Sequence, residues 1–160
     1  MVKPKTELTL KVRAMRYLAR REHSRAELRA KLLPHAGENE DVEWLLDDFT
    51  SRGWLSDQRA AEQLLIQRRN RFGAQRIAHE LRQKGISENL IDAAMPELKA
   101  TELETAREVW RRKFGEQPRD QKEKARQVRF LQSRGFSSEV VFKLLRACGE
   151  EEISWPESGP

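Results

Sequence analysis

Cysteine and long apolar runs are what this 160-residue sequence has least of. Cys148 is the only cysteine, so no disulfide can form within the chain, and a reducing compartment fits this usage. Nothing approaches the roughly 20 apolar residues that a membrane-spanning helix needs. The start of the chain, Met1 to Thr6, is polar and does not resemble a signal peptide. We therefore expect a cytoplasmic protein.

The sequence also lacks the patterns that mark catalytic and metal sites. His23, His35 and His79 fall in three different predicted elements, and a single cysteine cannot complete a zinc site. There is no glycine-rich phosphate loop and no nucleophile elbow. Acidic residues gather between Glu38 and Asp48, but they are local and adjoin a predicted helix N-terminus, where the helix dipole favours negative charge. We expect no enzymatic activity, no cofactor and no metal.

Charge is what the sequence has in abundance, and it is unevenly placed. Charged residues make up 36% of the chain and the formal net charge is +5. Residues 149–160 contain four glutamates and no Lys or Arg, which leaves 31 basic against 22 acidic residues, or +9, on residues 1–148. A positive body favours a polyanionic partner, either nucleic acid or an acidic groove on a protein or nucleoprotein. A basic surface that serves only solubility is the competing interpretation.

Apolar spacing predicts helices throughout. Leu8, Val12, Met15 and Ala19 mark the first helix, and Ser24 with Glu27 forms a capping box for the second. The first three helices are expected near residues 8–21, 24–34 and 40–52, and Gly53 ends the third. Later signals repeat this order: a helix capped by Ser56 or Asp57, a short helix closed by Gly85, a helix from Ser87 to near Pro96, a helix begun by a Thr101–Glu104 capping box, a helix closed by Gly135, and a last helix with Val140, Val141, Leu144 and Leu145.

An internal repeat underlies this order. Residues 81–95, LRQKGISENLIDAAM, align without a gap on residues 131–145, LQSRGFSSEVVFKLL. Glycine, a bulky apolar residue and serine are then a helix stop, a buried residue and a helix start in succession. The first repeat aligns at Leu28 with Ile77 and at Leu32 with Leu81, and then needs an insertion. Trp54 falls on the position of Ile86 and Phe136, which predicts that it is buried; Trp110 is also predicted to be in the core, whereas Trp155 lies in the acidic tail.

The predicted fold class is all-α, with three tandem three-helix repeats in an elongated, curved, right-angled-helix array. We expect a flexible N-terminus at 1–6, repeats at 7–54, 55–98 and 99–148, and an acidic disordered tail at 149–160. Arrays of this kind usually bind along one long face rather than in a pocket. We also expect a monomer.

Basic residues cluster near the junction of the first and second helix in every repeat. Arginine dominates these clusters and suits bidentate contacts to phosphate or carboxylate. Recurrence in three repeats favours one continuous basic surface, although ordinary cationic bias at helix C-termini gives a similar pattern. We call the set the basic stripe: Arg16, Arg20, Arg21 and Arg25; Arg68, Arg69, Arg71 and Arg76; Arg111, Arg112 and Lys113. Lys122, Lys124, Arg126 and Arg129 lie beyond it.

Three strings resemble the RecX family of recombination regulators. They are residues 14–28, AMRYLARREHSRAEL; residues 53–57, GWLSD, followed by 69–86, RNRFGAQRIAHELRQKGI; and residues 129–136, RFLQSRGF. The resemblance covers residues 8 to 148, and neither the opening residues nor the acidic tail takes part in it.

The resemblance implies a protein without enzymatic activity, built of tandem three-helix repeats, that modulates the RecA recombinase. It implies binding in the groove of the RecA–single-stranded DNA filament, contact with more than one protomer, and limitation of filament growth, ATP hydrolysis, strand exchange and co-protease activity. Weak direct contact with DNA is compatible with the basic charge, and no membrane partner is expected.

Two other functions remain open from the residues. A helical protein that binds DNA directly, without RecA, would use the basic stripe to follow phosphates. Against it, the third helices bear Glu43, Asp47 and Asp48, or Glu88 and Asp92, which would repel phosphate. A protein–protein adaptor with an acidic partner is the second alternative.

Overall fold

The structure, a computed structural model, describes residues 8–151, and from Cys148 onward only their backbone. All regular structure in this range is helical. The helices are α1 Leu10–Arg20, α2 Arg25–Leu32 with a 3-10 turn at Leu33–His35, α3 Val42–Ser51, α4 Asp57–Arg68, α5 Ala74–Gln83, α6 Glu88–Lys113, α7 Gln121–Ser133 and α8 Ser138–Glu151. The predicted flexible segment 1–6, Trp155 and the tail beyond Glu151 lie outside the described residues. Helix α8 includes residues 149–151, the first three of the predicted tail.

The described residues form two compact units. Residues up to Leu64, together with 81–90, make the first unit, and residues 65–80, together with those from Ile91 onward, make the second. The first unit has a core of nine buried apolar residues from α1, α2, α3 and the turn after α3: Leu10, Ala14, Leu28, Leu32, Val42, Leu45, Leu46, Phe49 and Leu55. In the second unit a core joins α6, α7 and α8: Ala106, Trp110, Leu131, Phe136, Val141, Leu144 and Leu145.

The predicted helix stops recur with one backbone geometry. Gly53, Gly85 and Gly135 have φ values of +76°, +73° and +89°. After each glycine, the next N–H donates to the carbonyl five residues earlier: Trp54 to Phe49 at 2.9 Å, Ile86 to Leu81 at 3.1 Å and Phe136 to Leu131 at 3.3 Å. This is the bond that closes a Schellman cap, and glycine suits it because the left-handed region costs glycine nothing. The glycine stops predicted from the repeat are confirmed.

The serine starts are also confirmed. Ser24 and Glu27 form the predicted capping box of α2, and the Ser87 and Ser137 hydroxyls accept from Leu90 N–H and Val140 N–H. The two residues predicted as candidate caps of the fourth helix accept hydrogen bonds from two different helices. Ser56 accepts from the N–H of Arg59 in its own helix, whereas Asp57 accepts from the N–H of Arg25 at 2.8 Å and so caps the start of α2.

The predicted break between a helix ending near Pro96 and another starting at Thr101 is wrong. Helix α6 runs without interruption from Glu88 to Lys113, and Thr101 lies inside it, where its hydroxyl donates to the Glu97 carbonyl. A proline inside a helix costs about 3 kcal/mol. The reason the helix continues is a buried row at four-residue spacing on its C-terminal half: Leu98, Glu102, Ala106 and Trp110. Packing of this row outweighs the loss of one backbone hydrogen bond.

The predicted burial of Trp54 is also wrong. Its backbone occupies the position of Ile86 and Phe136, but its side chain is 39% exposed, and Leu55 at 2% is the buried residue instead. The indole packs edge-on against Phe49 and under the Arg52 guanidinium. Helix α1 likewise buries Leu10 and Ala14, so Val12 and Met15, whose spacing predicted the helix, lie on its exposed side, and Leu8 precedes the helix. Trp110 is buried as predicted, and its indole donates to Gln127.

Gly135 has both a conformational and a steric reason to be glycine. A Cβ there would lie 2.2 Å from the Arg76 Cβ and 2.8 Å from its backbone nitrogen, in addition to the positive φ. Gly53 has a similar φ but nothing within 4 Å of a built Cβ. Substitution by alanine at Gly53 therefore tests the cost of the positive φ alone, whereas at Gly135 it adds the cost of the steric clash.

We expect Gly135→Ala to lower the free energy of unfolding by roughly 2–5 kcal/mol, and Gly53→Ala by only about 1–2 kcal/mol. Urea denaturation followed by circular dichroism measures both. Equal losses at the two positions would contradict the steric part of this explanation.

Candidate partner-binding surface

The second arginine cluster of the basic stripe lies at the end of α4, in the following turn and in α5. Arg68 is the last residue of α4, and the turn is closed by the N–H groups of Arg71 and Phe72, which both donate to the Arg68 carbonyl. Helix α5 begins at Ala74, so Arg76 lies in its first turn. This local fold places two basic side chains, those of Arg68 and Arg76, beside the ring of Phe72.

Phe72 is the centre of a group of cations. The Arg76 guanidinium lies 4.1 Å from the Phe72 ring centroid, and those of Arg134 and Arg68 lie at 5.4 Å and 5.9 Å. Cations within about 6 Å of a ring centroid are attracted to its negative face, by about 0.5–1 kcal/mol at exposed sites. The ring therefore offsets part of the repulsion between like charges that this clustering creates.

The same arrangement continues along the second unit. Arg134 also lies 5.2 Å from the Phe130 ring centroid, and Lys113 lies 5.5 Å from that ring. Phe130 in turn packs edge-on against Phe114 at 5.4 Å. Phe72 thus has three cations around it and Phe130 has two, and Arg134 is shared by both rings. We call this set the arginine–phenylalanine ladder: Arg68, Arg76, Phe72, Arg134, Phe130 and Lys113.

Backbone contacts fix the ladder in place. The Gly73 N–H donates to the Arg134 carbonyl at 2.8 Å, and Arg76 Nη1 donates to the Ser133 carbonyl at 3.1 Å. A Cβ at Gly73 would lie only 2.2 Å from the Gly135 carbonyl oxygen. The turn before α5 therefore meets the turn after α7 at a distance that only glycine permits, and this brings Phe72 and Arg134 together.

Ion pairs decide which cations remain available to a partner. Arg68 Nε contacts both Glu80 carboxylate oxygens at 3.2 Å, so its charge is already compensated. Arg69 and Arg71 are exposed and make no ion pair among residues 8–147, whose side chains the structure describes. Contact of either side chain with a phosphate or carboxylate would therefore break no existing ion pair.

In the first unit, two members of the basic stripe are engaged in structure. Arg21 Nη2 lies 2.8 Å from Glu27, and Arg25 Nη2 lies 2.7 Å from Asp47 and 3.1 Å from Glu43. Arg16 and Arg20 are exposed, and neither makes an ion pair among the described residues. The acidic cluster before and within α3 is therefore partly a counter-charge for α2.

The described residues contain no group of three or more His, Cys, Asp and Glu arranged to hold a metal ion.

The Glu27 carboxylate contacts several of these groups at once. It completes the capping box through the Ser24 N–H and lies 3.5 Å from the Lys84 amine. Burial alone would raise the Glu27 pKa, but the hydrogen bond from Arg21, that from Ser24 and the charge of Lys84 outweigh burial and lower it to about 2. The Ser24 hydroxyl also donates to the Lys84 carbonyl. Residues 23–28, His-Ser-Arg-Ala-Glu-Leu, thus form a structural junction between the start of α2 and Lys84.

His23 completes this junction as a buried side chain, 1% exposed. Its Nδ1 lies 3.0 Å from the Arg21 carbonyl and its Nε2 lies 2.9 Å from Lys31 Nζ. An Nδ1–H that donates to the carbonyl and an Nε2 that accepts from the ammonium satisfy both contacts, which is the neutral ring. Burial lowers the His23 pKa, and the charges of Arg21 and Lys31 lower it further. Lys31 also lies over the Tyr17 ring.

The third cluster is partly paired. Arg111 Nη1 lies 2.9 Å from Glu108, Arg112 is exposed without an ion pair among the described residues, and Lys113 joins the ladder. The structure therefore brings Arg68, Arg76 and Lys113 into one ladder within the second unit. The continuity of the whole basic stripe stays a prediction.

Sequence reasoning missed the two phenylalanines and Arg134. The available signal was the pair of Arg–x–Gly or Arg–Gly strings, at Arg71–Gly73 and Arg134–Gly135, inside two of the strings that resemble the family. Their proximity depends on the Gly73–Gly135 contact, which no spacing along the chain reveals.

Comparison with known proteins identifies the family. Sequence models described as the first, second and third three-helix domains of RecX match residues 11–48, 56–95 and 100–145. The chain belongs to the RecX family. Each matched range lies inside one of the repeats expected from the sequence.

Relatives and solved structures agree with this assignment. The chain is 50% identical over 151 residues to the regulatory protein RecX of Leptothrix cholodnii, covering 94% of this chain and 96% of the relative. It is 44% identical over 146 residues to that of Ralstonia nicotianae, covering 91% and 92%. The crystal structure of RecX from Lactobacillus salivarius has a similar fold, with a TM-score of 0.72 at 17% identity, covering 88% of this chain and 95% of that one. The all-helical class is thus confirmed. Within residues 8–151, no helix has the length and apolar character needed to cross a membrane.

The buried neutral His23 predicts a pH-dependent stability. Its folded pKa lies below the ordinary 6.5, so its contribution is present above pH 6.5 and is lost as the pH falls below it. We expect the stability advantage of the wild type over His23→Gln to shrink between about pH 7.5 and about pH 5.5. Urea denaturation of both proteins across this range measures it. Glu27, with its pKa of about 2, stays ionised there, and an advantage that is constant with pH would contradict the assignment of His23.

Proposed function

We propose that this RecX-family protein is a non-enzymatic modulator, mainly an inhibitor, of RecA. In this proposal it binds in the groove of the RecA–single-stranded DNA filament in the cytoplasm. Binding limits filament growth, ATP hydrolysis, strand exchange and co-protease activity. The protein acts as a monomer and needs no cofactor.

The observation that carries this proposal is the arginine–phenylalanine ladder with Arg69 and Arg71 beside it. The ladder concentrates positive charge on a part of the second unit where two glycine turns are in close backbone contact. Arg69 and Arg71 add two exposed cations without ion pairs among the described residues. A fixed cationic surface of this kind favours an acidic or phosphate-bearing partner and gives nothing to a chemical step.

Regulation by occupation follows from such a surface. Three matched repeats can each contribute weak contacts, and linked contacts gain from effective concentration, so affinity can exceed that of any single repeat. A groove filled by this protein would be closed to duplex DNA and to a repressor awaiting cleavage. Charge attraction would speed association and make it sensitive to salt.

Direct DNA binding without RecA is the second candidate, and the same arginines favour it. Two observations weigh against it. The rings of Phe72 and Phe130 already pack with cations, which reduces their use for stacking on bases. Trp44, the most exposed tryptophan described at 64%, lies between Glu43 and Asp47 on α3. A pull-down with and without nuclease separates this candidate, and a purely protein–protein adaptor, from the filament modulator.

The proposal is tested by titrating the protein into RecA on single-stranded DNA while ATP hydrolysis is followed. We expect hydrolysis to fall as the protein is added, and to fall less at high salt. Tight binding to naked DNA with no effect on hydrolysis would favour the second candidate instead.

Charge reversal at Arg69 and Arg71, the two unpaired arginines beside the ladder, tests the surface itself. We expect Arg69→Glu with Arg71→Glu to raise the concentration for half-inhibition at least about tenfold, because each reversal replaces attraction by repulsion. Helicity should stay unchanged, since neither side chain is part of an ion pair in the described structure. Reversing Arg68 would be less clean, because it would leave Glu80 facing a second carboxylate.

Lys99→Glu with Lys143→Glu is the matched control. Both lysines are exposed, lie in the second unit outside the basic stripe and make no ion pair among the described residues. The control changes the net charge by the same amount. Equal loss of inhibition in both variants would mean that total charge, and not this surface, drives binding.

A further inference from the structure

Helix α1 places an apolar row on its solvent side. Leu8, Val12 and Met15 are 36%, 39% and 45% exposed, and Ala19 is exposed one turn further on. Steps of three and four put Val12, Met15 and Ala19 on one side of α1, and Leu8 lies just before the Thr9 N-cap, outside the helix. We call these four residues the α1 apolar row.

The core does not explain this row. Helix α1 packs into the first unit through Leu10 and Ala14, with Tyr17 and Leu18 partly buried beside them. At about 100° per residue, that packed side lies opposite the α1 apolar row. The helix therefore has two apolar sides, and only one of them serves folding. A single exposed apolar residue needs no explanation, but a row in helical register at one place does.

Charge around the row indicates what could cover it. Every charged residue of α1 is basic: Lys11, Arg13, Arg16 and Arg20. Lys11 and Arg16 lie on either side of the row, and neither makes an ion pair with any side chain described up to residue 147. An apolar centre with a cationic border is complementary to a protein surface that has an apolar centre and an acidic border.

The same features disfavour other occupants. A nucleic-acid backbone would gain from the border but would leave the apolar centre without contacts. A lipid surface usually selects longer basic helices with Trp or Phe among their apolar residues, whereas this row has neither and α1 has 11 residues.

We propose that the α1 apolar row is a protein-docking surface that seats an acidic, apolar-centred patch of a RecA subunit. This proposal rests on the proposed function and adds a contact of a different kind to it. The ladder and its neighbouring arginines contribute charge from the second unit, while α1 contributes apolar contact from the first.

Three double substitutions at the two central positions test the docking surface: Val12→Gln with Met15→Gln, Val12→Glu with Met15→Glu, and Val12→Lys with Met15→Lys. Half-inhibition of RecA ATP hydrolysis on single-stranded DNA is measured for each, together with binding to a naked oligonucleotide. Helicity should be retained, because both side chains point away from the core.

The glutamine variant should inhibit about tenfold more weakly, since two apolar contacts are lost. The glutamate variant should be weaker still, because it would face acidic groups. The lysine variant should stay weaker than wild type on the filament, yet bind naked DNA at least as well. Trp44→Glu is the control: this side chain is 64% exposed on α3 of the same unit, beside Glu43 and Asp47, and its inhibition should match wild type.

Several results would overturn the docking surface. Unchanged inhibition in all three double variants would remove the row from binding. A lysine variant stronger than wild type on the filament would mean that charge alone is read. A wild-type dimer in sedimentation that becomes monomeric in the glutamate variant would make a second copy the occupant, and binding to anionic vesicles that the glutamate variant loses would make it a lipid. Wild-type protein without any inhibition would overturn the proposed function as well, which distinguishes the two failures.

Discussion

The contact between two glycine turns is the constraint on which the second unit depends. Gly73 donates its N–H to the Arg134 carbonyl, and a Cβ on Gly73 would collide with the Gly135 backbone, as one on Gly135 would with Arg76 at the start of α5. The same two glycines sit next to Phe72 and Arg134, so the closest backbone approach also sets the arginine–phenylalanine ladder. Gly135, which the sequence predicts only as a helix stop, therefore also positions the candidate binding surface. Structure and charge are coupled at this point, because loosening the turns would separate the cations from the rings.

Part of the fold follows from local signals alone. The Gly–apolar–Ser strings at residues 85–87 and 135–137 predicted helix stops and starts because caps depend on a few neighbouring residues. Local signals could not predict three other features: the continuous α6, the exposure of Trp54 and the exposed apolar row of α1. Each is decided by which apolar residues find a partner in three dimensions: the buried row from Leu98 to Trp110 overrides Pro96, and Leu55 takes the place that the alignment gave to Trp54.

The candidate surface was predictable only as a composition of charges. Clusters of arginine could be seen in the sequence, but their availability could not. Arg21, Arg25 and Arg68 turn out to be held by Glu27, Asp47 and Glu80, whereas Arg69 and Arg71 are left exposed. In the first unit Arg21 is paired with Glu27 and Arg25 with Glu43 and Asp47, whereas Arg16 and Arg20 have no ion pair among the described residues. In the proposed binding mode, the second unit contributes charged contacts and α1 contributes apolar contact. Binding to the filament would then be distributed over several weak contacts.

A photo-crosslinker at position 69 tests this account most directly. Benzoylphenylalanine in place of Arg69, irradiated with RecA, single-stranded DNA and ATP, should give a covalent product with RecA, because we propose that this turn lies against a filament subunit. The same probe in place of Trp44 should give none. Products with DNA alone, or equal products from both positions, would contradict the claim that the turn beside the arginine–phenylalanine ladder faces the recombinase.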